Sequence, residues 1–146
     1  MYGDPLVREK EEKFVRALAA TSPELERQLQ EDAEYYGEIL PHPFLSEVSR
    51  RVFGLVKRIA AGGPDSELAR GELGAILEFL ETTYAEGDED LQELVAVSFL
   101  ENVAYEDDKT AAGWLGGQLG THLKQKLEAI ESWKPPELPP LDAEGE

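Results

Sequence analysis

The stretch Leu91 to Tyr105, Leu-Gln-Glu-Leu-Val-Ala-Val-Ser-Phe-Leu-Glu-Asn-Val-Ala-Tyr, constrains this chain more than any other. Wound at about 100° per residue, Val95, Ala96, Val97, Phe99, Leu100, Val103 and Ala104 cover roughly half the circumference of a helix, more than a surface helix buries. A rod this apolar must be covered on several sides. The other segments are therefore expected to form its walls.

Their start and stop signals read as helices. Asp4-Pro5 and Ser22-Pro23 each place an N-capping oxygen before a proline that suits the first helical position, predicting helices from Pro5 to about Ala20 and from Pro23 to about Tyr36. The first turns Val7, Phe14, Val15 and Leu18 inward, the second Leu25, Leu29, Ala33 and Tyr36. Gly37 fits a C-cap, with Ile39 and Leu40 packed beneath the connector that follows. Because a residue before proline is pushed out of the helical region, Pro41-His42-Pro43 predicts a rigid connector, with the third helix opening at Pro43. That helix carries Leu45, Val48, Val52, Leu55, Val56 and Ile59 to Gly62-Gly63-Pro64.

Asp65 reads as the cap of a fourth helix reaching about Glu86, interrupted by Gly71 and Gly74, which call either for close approach of a neighbour or for a break at Gly71. The short link Gly87-Asp88-Glu89-Asp90 predicts an antiparallel hairpin with the central rod. A short helix from Lys109 to Leu115, broken up by Gly113, Gly116, Gly117 and Gly120, and a last helix capped by Thr121 complete the pattern. No segment reads as a strand. The expectation is an all-α, compact bundle of about six helices with antiparallel helical hairpins, leaving HEAT-like stacking open. Residues 1–133 read as a single helical domain and 134–146 as a Pro-rich, acidic, disordered tail.

Charge bounds the partners. The net charge is -17, and between Arg70 and Lys109 there is no basic residue, while Glu72, Glu78, Glu81, Glu86, Asp88, Glu89, Asp90, Glu93, Glu101, Glu106, Asp107 and Asp108 all lie there. Such a surface repels nucleic acid and anionic membranes and attracts basic proteins. Arg50, Arg51, Lys57 and Arg58 on the third helix are the counterweight. The absence of Cys, of a signal-peptide core and of a bilayer-length apolar run points to a soluble, cytoplasmic protein.

No catalytic, cofactor-binding or metal-ligating set emerges. There is no thiol, no Glu-x-x-His or His-Glu-x-x-His pattern and no phosphate-loop signature, and neither His42 nor His122 has a local ligand partner. The acids at 88–90 and 106–108 lack the alternating ligand spacing of a calcium loop. Glu101 beside the apolar arc is expected to be exposed or to pair with an arginine of the third helix.

The segment Leu91 to Val103 resembles the "sFLEN" core of a family of small bacterial proteins of uncharacterised function, carried here by Ser98-Phe99-Leu100-Glu101-Asn102. The resemblance extends to Gly87-Asp88, to Leu40-Pro41-His42-Pro43-Phe44 and to Leu119-Gly120, where Thr121 replaces the family's usual proline. It implies no catalytic residue. The functional expectation is a non-catalytic module that occludes a basic partner, as bacterial immunity proteins occlude toxins. Its candidate contacts are Glu78, Glu81, Tyr84, Glu86, Asp88, Glu89, Asp90, Glu93, Tyr105, Glu106, Asp107 and Asp108. The alternatives are a helical adaptor holding its partner in an apolar groove, and an enzyme or small-ligand receptor with a pocket that no motif reveals.

Overall fold

Capping side chains, glycines in the left-handed region and first-turn prolines delimit every major helix of the computed structural model, which describes residues 4–132. The tail at 134–146 lies outside the described residues. The elements are α1 (Pro5–Ala19), α2 (Pro23–Tyr36), α3 (Pro41–Ala61), α4 (Asp65–Ala85), α5 (Glu89–Val95), a π-helical turn (Ala96–Leu100), α6 (Glu101–Ala104), α7 (Lys109–Gln118) and α8 (Thr121–Ser132). Because α5, the π turn and α6 form one continuous rod, seven rods are present among the described residues, and no strand. The molecule is an all-α, compact helical bundle. No described helix is long and apolar enough to cross a membrane.

Asp4 accepts from the N–H of Leu6 at 2.9 Å and Ser22 from that of Leu25 at 3.2 Å, so both expected caps form. Gly37 closes α2 at φ 75°. Four local expectations fail. First, α3 opens at Pro41, with Leu40 as its extended N-cap, because the first turn of a helix leaves its N–H groups without partners anyway and so tolerates both prolines. Second, Asp65 is not a cap; it lies within the first turn of α4, after Pro64, where its charge suits the positive helix end. The cluster Gly113, Gly116 and Gly117 also does not break α7, which runs on to Gln118. Tyr36, expected inside, is half-exposed in the last turn of α2 and meets Tyr35 edge to face, with ring centroids 4.8 Å apart.

The central rod is enclosed by α1, α3, α4, α7 and α8. Phe99, Leu100 and Val103 are fully buried, and one hydrophobic cluster runs from Phe14 to Leu127. The departure from expectation is the π turn, where the Glu101 N–H bonds to the carbonyl of Ala96, five residues back. This wider turn rotates Val97, at the edge of the expected apolar arc, outward to 43% exposure. α3 packs most extensively on α4, its antiparallel partner across the glycine turn. Arg51 of α3 closes that contact with a two-pronged ion pair to Glu72, 2.8 Å for each bond, and Glu72 also accepts from the buried Ser22 hydroxyl at 2.6 Å.

Gly71 and Gly74 satisfy neither expectation placed on them: α4 is unbroken at both, and a Cβ at either position would meet nothing within 4 Å. Gly71→Ala is therefore expected to stabilise the protein by about 0.5–1 kcal/mol, through helix propensity alone. In thermal unfolding the midpoint should rise by about 2–4 °C.

Candidate functional site

The fold consumes several of the candidate acids. Asp88 caps α5, accepting from the N–H of Leu91 at 3.1 Å, and shares Lys10 of α1 with Asp90, each at 2.9 Å. The Lys10 hydrogen bond, then the Leu91 N–H, holds the Asp88 carboxyl below its ordinary pKa. Asp108 caps α7 through the N–H of Ala111 at 3.0 Å, and Glu106 accepts from the N–H of Asp108 at 3.1 Å. Glu81 reaches from α4 to the start of α8, where its two oxygens accept from the N–H groups of His122 and Leu123, each at 3.0 Å, and from the His122 ring at 2.7 Å. Burial alone would raise the Glu81 pKa; the Leu123 N–H and the two His122 donors outweigh it and lower it. Glu81 thus fills the role expected of Thr121.

The remaining acids, Glu78, Glu86, Glu89, Glu93 and Asp107, are exposed and enter no ion pair among the described residues. Of the two candidate aromatic anchors, Tyr105 is 66% exposed, whereas Tyr84 is half-buried against the core. Burial raises the Tyr84 hydroxyl pKa.

Glu89, Glu93, Val97 and Glu101 line one groove of about 330 Å³ between the central rod and α8, with Tyr84 at one end and Lys126 on the opposite wall. Residues four apart run ahead by about 40° per step on an α-helix; a turn closed by i→i+5 bonds holds more residues and brings the row back into line. The π turn thus keeps three carboxylates and an exposed valine on one stripe. Glu101 is half-buried there and forms no ion pair with α3. Val97, Glu101 and Lys126 were not among the sequence candidates; the four-residue spacing from Glu89 is the signal that could have found Val97 and Glu101, whereas Lys126 joins them only through the packing of α8.

The residues behind the sFLEN resemblance serve packing as well. The His42 ring at the start of α3 hydrogen-bonds the Ser98 hydroxyl in the π turn, and Ser98 is buried. The Asn102 side-chain amide donates to the carbonyl of Ser98 at 3.0 Å and to the hydroxyl of Ser49 at 3.1 Å. The His42–Ser98 bond ties Leu40–Phe44 to Ser98–Asn102, two stretches with separate places in the sequence pattern, and Asn102 reaches further along α3 to Ser49. Among the described residues no three His, Asp or Glu side chains gather as a metal cluster.

One acid of α3, outside the groove, stands apart. Glu47 of α3 has a buried Oε1 without a hydrogen-bond partner, while Arg50 lies 3.9 Å from its Oε2. Burial, then the Asp32 carboxyl of α2, pushes its pKa up to about 7 from 4.5. The folded state therefore holds this proton more tightly than the unfolded state. The associated stability is complete below pH 4.5 and declines as pH rises through about 7. The loss is expected to be about 1–2 kcal/mol, discounted because the carboxyl is partly open to water. Urea unfolding at stepped pH should show the decline, and Glu47→Gln should flatten it. Glu72, whose pKa is depressed by Arg51, acts in the opposite direction, losing its contribution as pH falls below 4.5.

No curated protein and no solved structure matches this chain. A family model does: it describes a domain of unknown function, DUF7674, and matches residues 15–134. That span is most of the chain and takes in the buried rod, the π turn and the acidic groove, and the chain belongs to this family.

Proposed function

We propose that the protein is a non-catalytic binding module of the immunity type, which occludes the cationic surface of a basic protein in the cytoplasm without metal or cofactor. The observation that supports this reading is the groove carrying Glu89, Glu93 and Glu101 around the exposed Val97. Its carboxylates remain available after the caps and ion pairs of the fold have taken Glu81, Asp88, Asp90, Glu106 and Asp108. Low-dielectric walls concentrate the field of such a row, and a net charge of -17 steers a basic partner toward it. Val97, within the groove, supplies an apolar contact that charge alone lacks.

The test is capture from the native host with wild-type protein and with Glu89→Lys/Glu93→Lys/Glu101→Lys, followed by association kinetics on any basic protein recovered. Association is expected to slow at least tenfold on charge reversal and to weaken with salt. Binding indifferent to both would overturn the reading. The adaptor alternative has its own feature, a groove of about 760 Å³ between α1 and α2 over Leu29, Ala33 and Ile39. It predicts a partner that survives charge reversal of the α5 stripe.

A further inference from the structure

The cleft where α3, α4 and α7 meet, about 360 Å³, is separate from the acidic groove. Its floor is apolar, built from Ile59, Leu73 and Leu77, with half-buried Trp114 as a wall. Along its edge α4 presents Arg70, Gly74 and Glu78 at four-residue steps. Eight residues of helix set the Cα atoms of Arg70 and Glu78 about 12 Å apart along the axis. Neither enters an ion pair with any other described residue.

Gly74 keeps the middle of this edge open. A Cβ there would meet nothing within 4 Å, so packing within the chain does not call for glycine, although glycine costs about 1 kcal/mol in a helix interior. Gly71 is equally unconstrained but does not line the cleft. The size and the combination of apolar floor with a few polar groups suit a small ligand. Its polarity follows from the charges: Glu78 lies unpaired toward one end, beside the Glu81 carboxylate that caps α8, and Arg70 alone toward the other, within a strongly negative molecule. The Trp114 indole adds a broad apolar wall for the stem of such a ligand.

We propose that this cleft binds an amphipathic cation, an amine or guanidine on an apolar stem, with the charge toward Glu78 and the stem over Gly74 against Leu73, Leu77 and Trp114. The inference does not rest on the acidic stripe of α5. The test is NMR titration of the full chain with phenylbutylamine, and with phenylbutyrate as the anionic counterpart. The amine is expected to shift the Trp114 indole N–H and the Gly74 amide, with a Kd of about 1–10 mM, reasonable for so small a probe. Glu78→Gln should weaken binding about threefold to tenfold, and Gly74→Leu, which fills the cleft from an exposed helical position, should abolish it. Gly71→Ala and the Glu89, Glu93, Glu101 charge reversal should leave it unchanged, which separates this site from the protein-binding groove. No shift up to about 10 mM, equal binding of phenylbutyrate, or undiminished binding by Gly74→Leu overturns the proposal.

Discussion

Phe99→Ala is expected to destabilise the protein by about 3–5 kcal/mol, comparable with the whole stability of a small domain. Phe99 is fully buried in the rod that five other helices enclose. Truncation removes the transfer free energy of the ring, and the surrounding helices collapse only partly into the space because α1, α3, α4 and α8 are tied in place by side-chain bonds. Arg51 and Glu72 fix α3 to α4, Lys10 fixes α1 to the start of α5, and Glu81 fixes α8 to α4. Denaturant unfolding monitored by circular dichroism should show either a midpoint far below wild type or no cooperative transition. Val97→Ala, on the same turn but exposed, should stay within about 0.5 kcal/mol of wild type, so the contrast reads the orientation of the rod rather than its composition. Equal costs at the two positions would mean that the π turn does not point Val97 outward.

That contrast also marks how far the sequence was legible. Burial of Phe99 and Leu100 follows from periodicity, and the caps at Asp4 and Ser22 follow from local chemistry, since each bond joins groups within three residues. The π turn was not legible, because a wheel drawn at a fixed angle assumes the α-helical repeat that the turn breaks. Pro41 and Pro43 misled for a related reason. The rule that proline disfavours a preceding helical residue concerns steric preference, and it yields in a first turn whose N–H groups have no helical acceptors to lose. The acidic block shows the limit for function. Glu81, Asp88 and Asp108 look alike in sequence to Glu89 and Glu93, but the first three hold helix N-termini while the last two line an open groove. Capping by Asp88 and Asp108 can be suspected from their place just before a helix. Capping by Glu81 joins residues more than forty positions apart and becomes visible only once α4 and α8 are packed.

Gly120→Ala should cost about 2–3 kcal/mol, a large effect for one added methyl group. An ideal Cβ at Gly120 would lie 2.5 to 2.7 Å from Cδ, Cγ and Oε1 of Glu81. A glutamate end is ordinarily free to swing aside, but this one is held by the N–H groups of His122 and Leu123 and by the His122 ring. Moving it leaves the first N–H groups of α8 without their acceptor and the positive end of that helix without its counter-charge. Glu81→Ala removes the same cap and is expected to cost about 1–2 kcal/mol. Because both changes break one interaction, their effects should not add. In the Glu81→Ala background Gly120→Ala should be nearly neutral, a coupling of about 2–3 kcal/mol in a double-mutant cycle read by chemical denaturation. Thr121→Ala discriminates between the two possible caps of α8: if Glu81 supplies the acceptor, loss of the threonine hydroxyl changes stability by less than about 0.5 kcal/mol. Additive costs at 81 and 120, or a Thr121→Ala penalty as large as that of Glu81→Ala, would return the capping role to the local side chain and release Glu81 to the acidic surface.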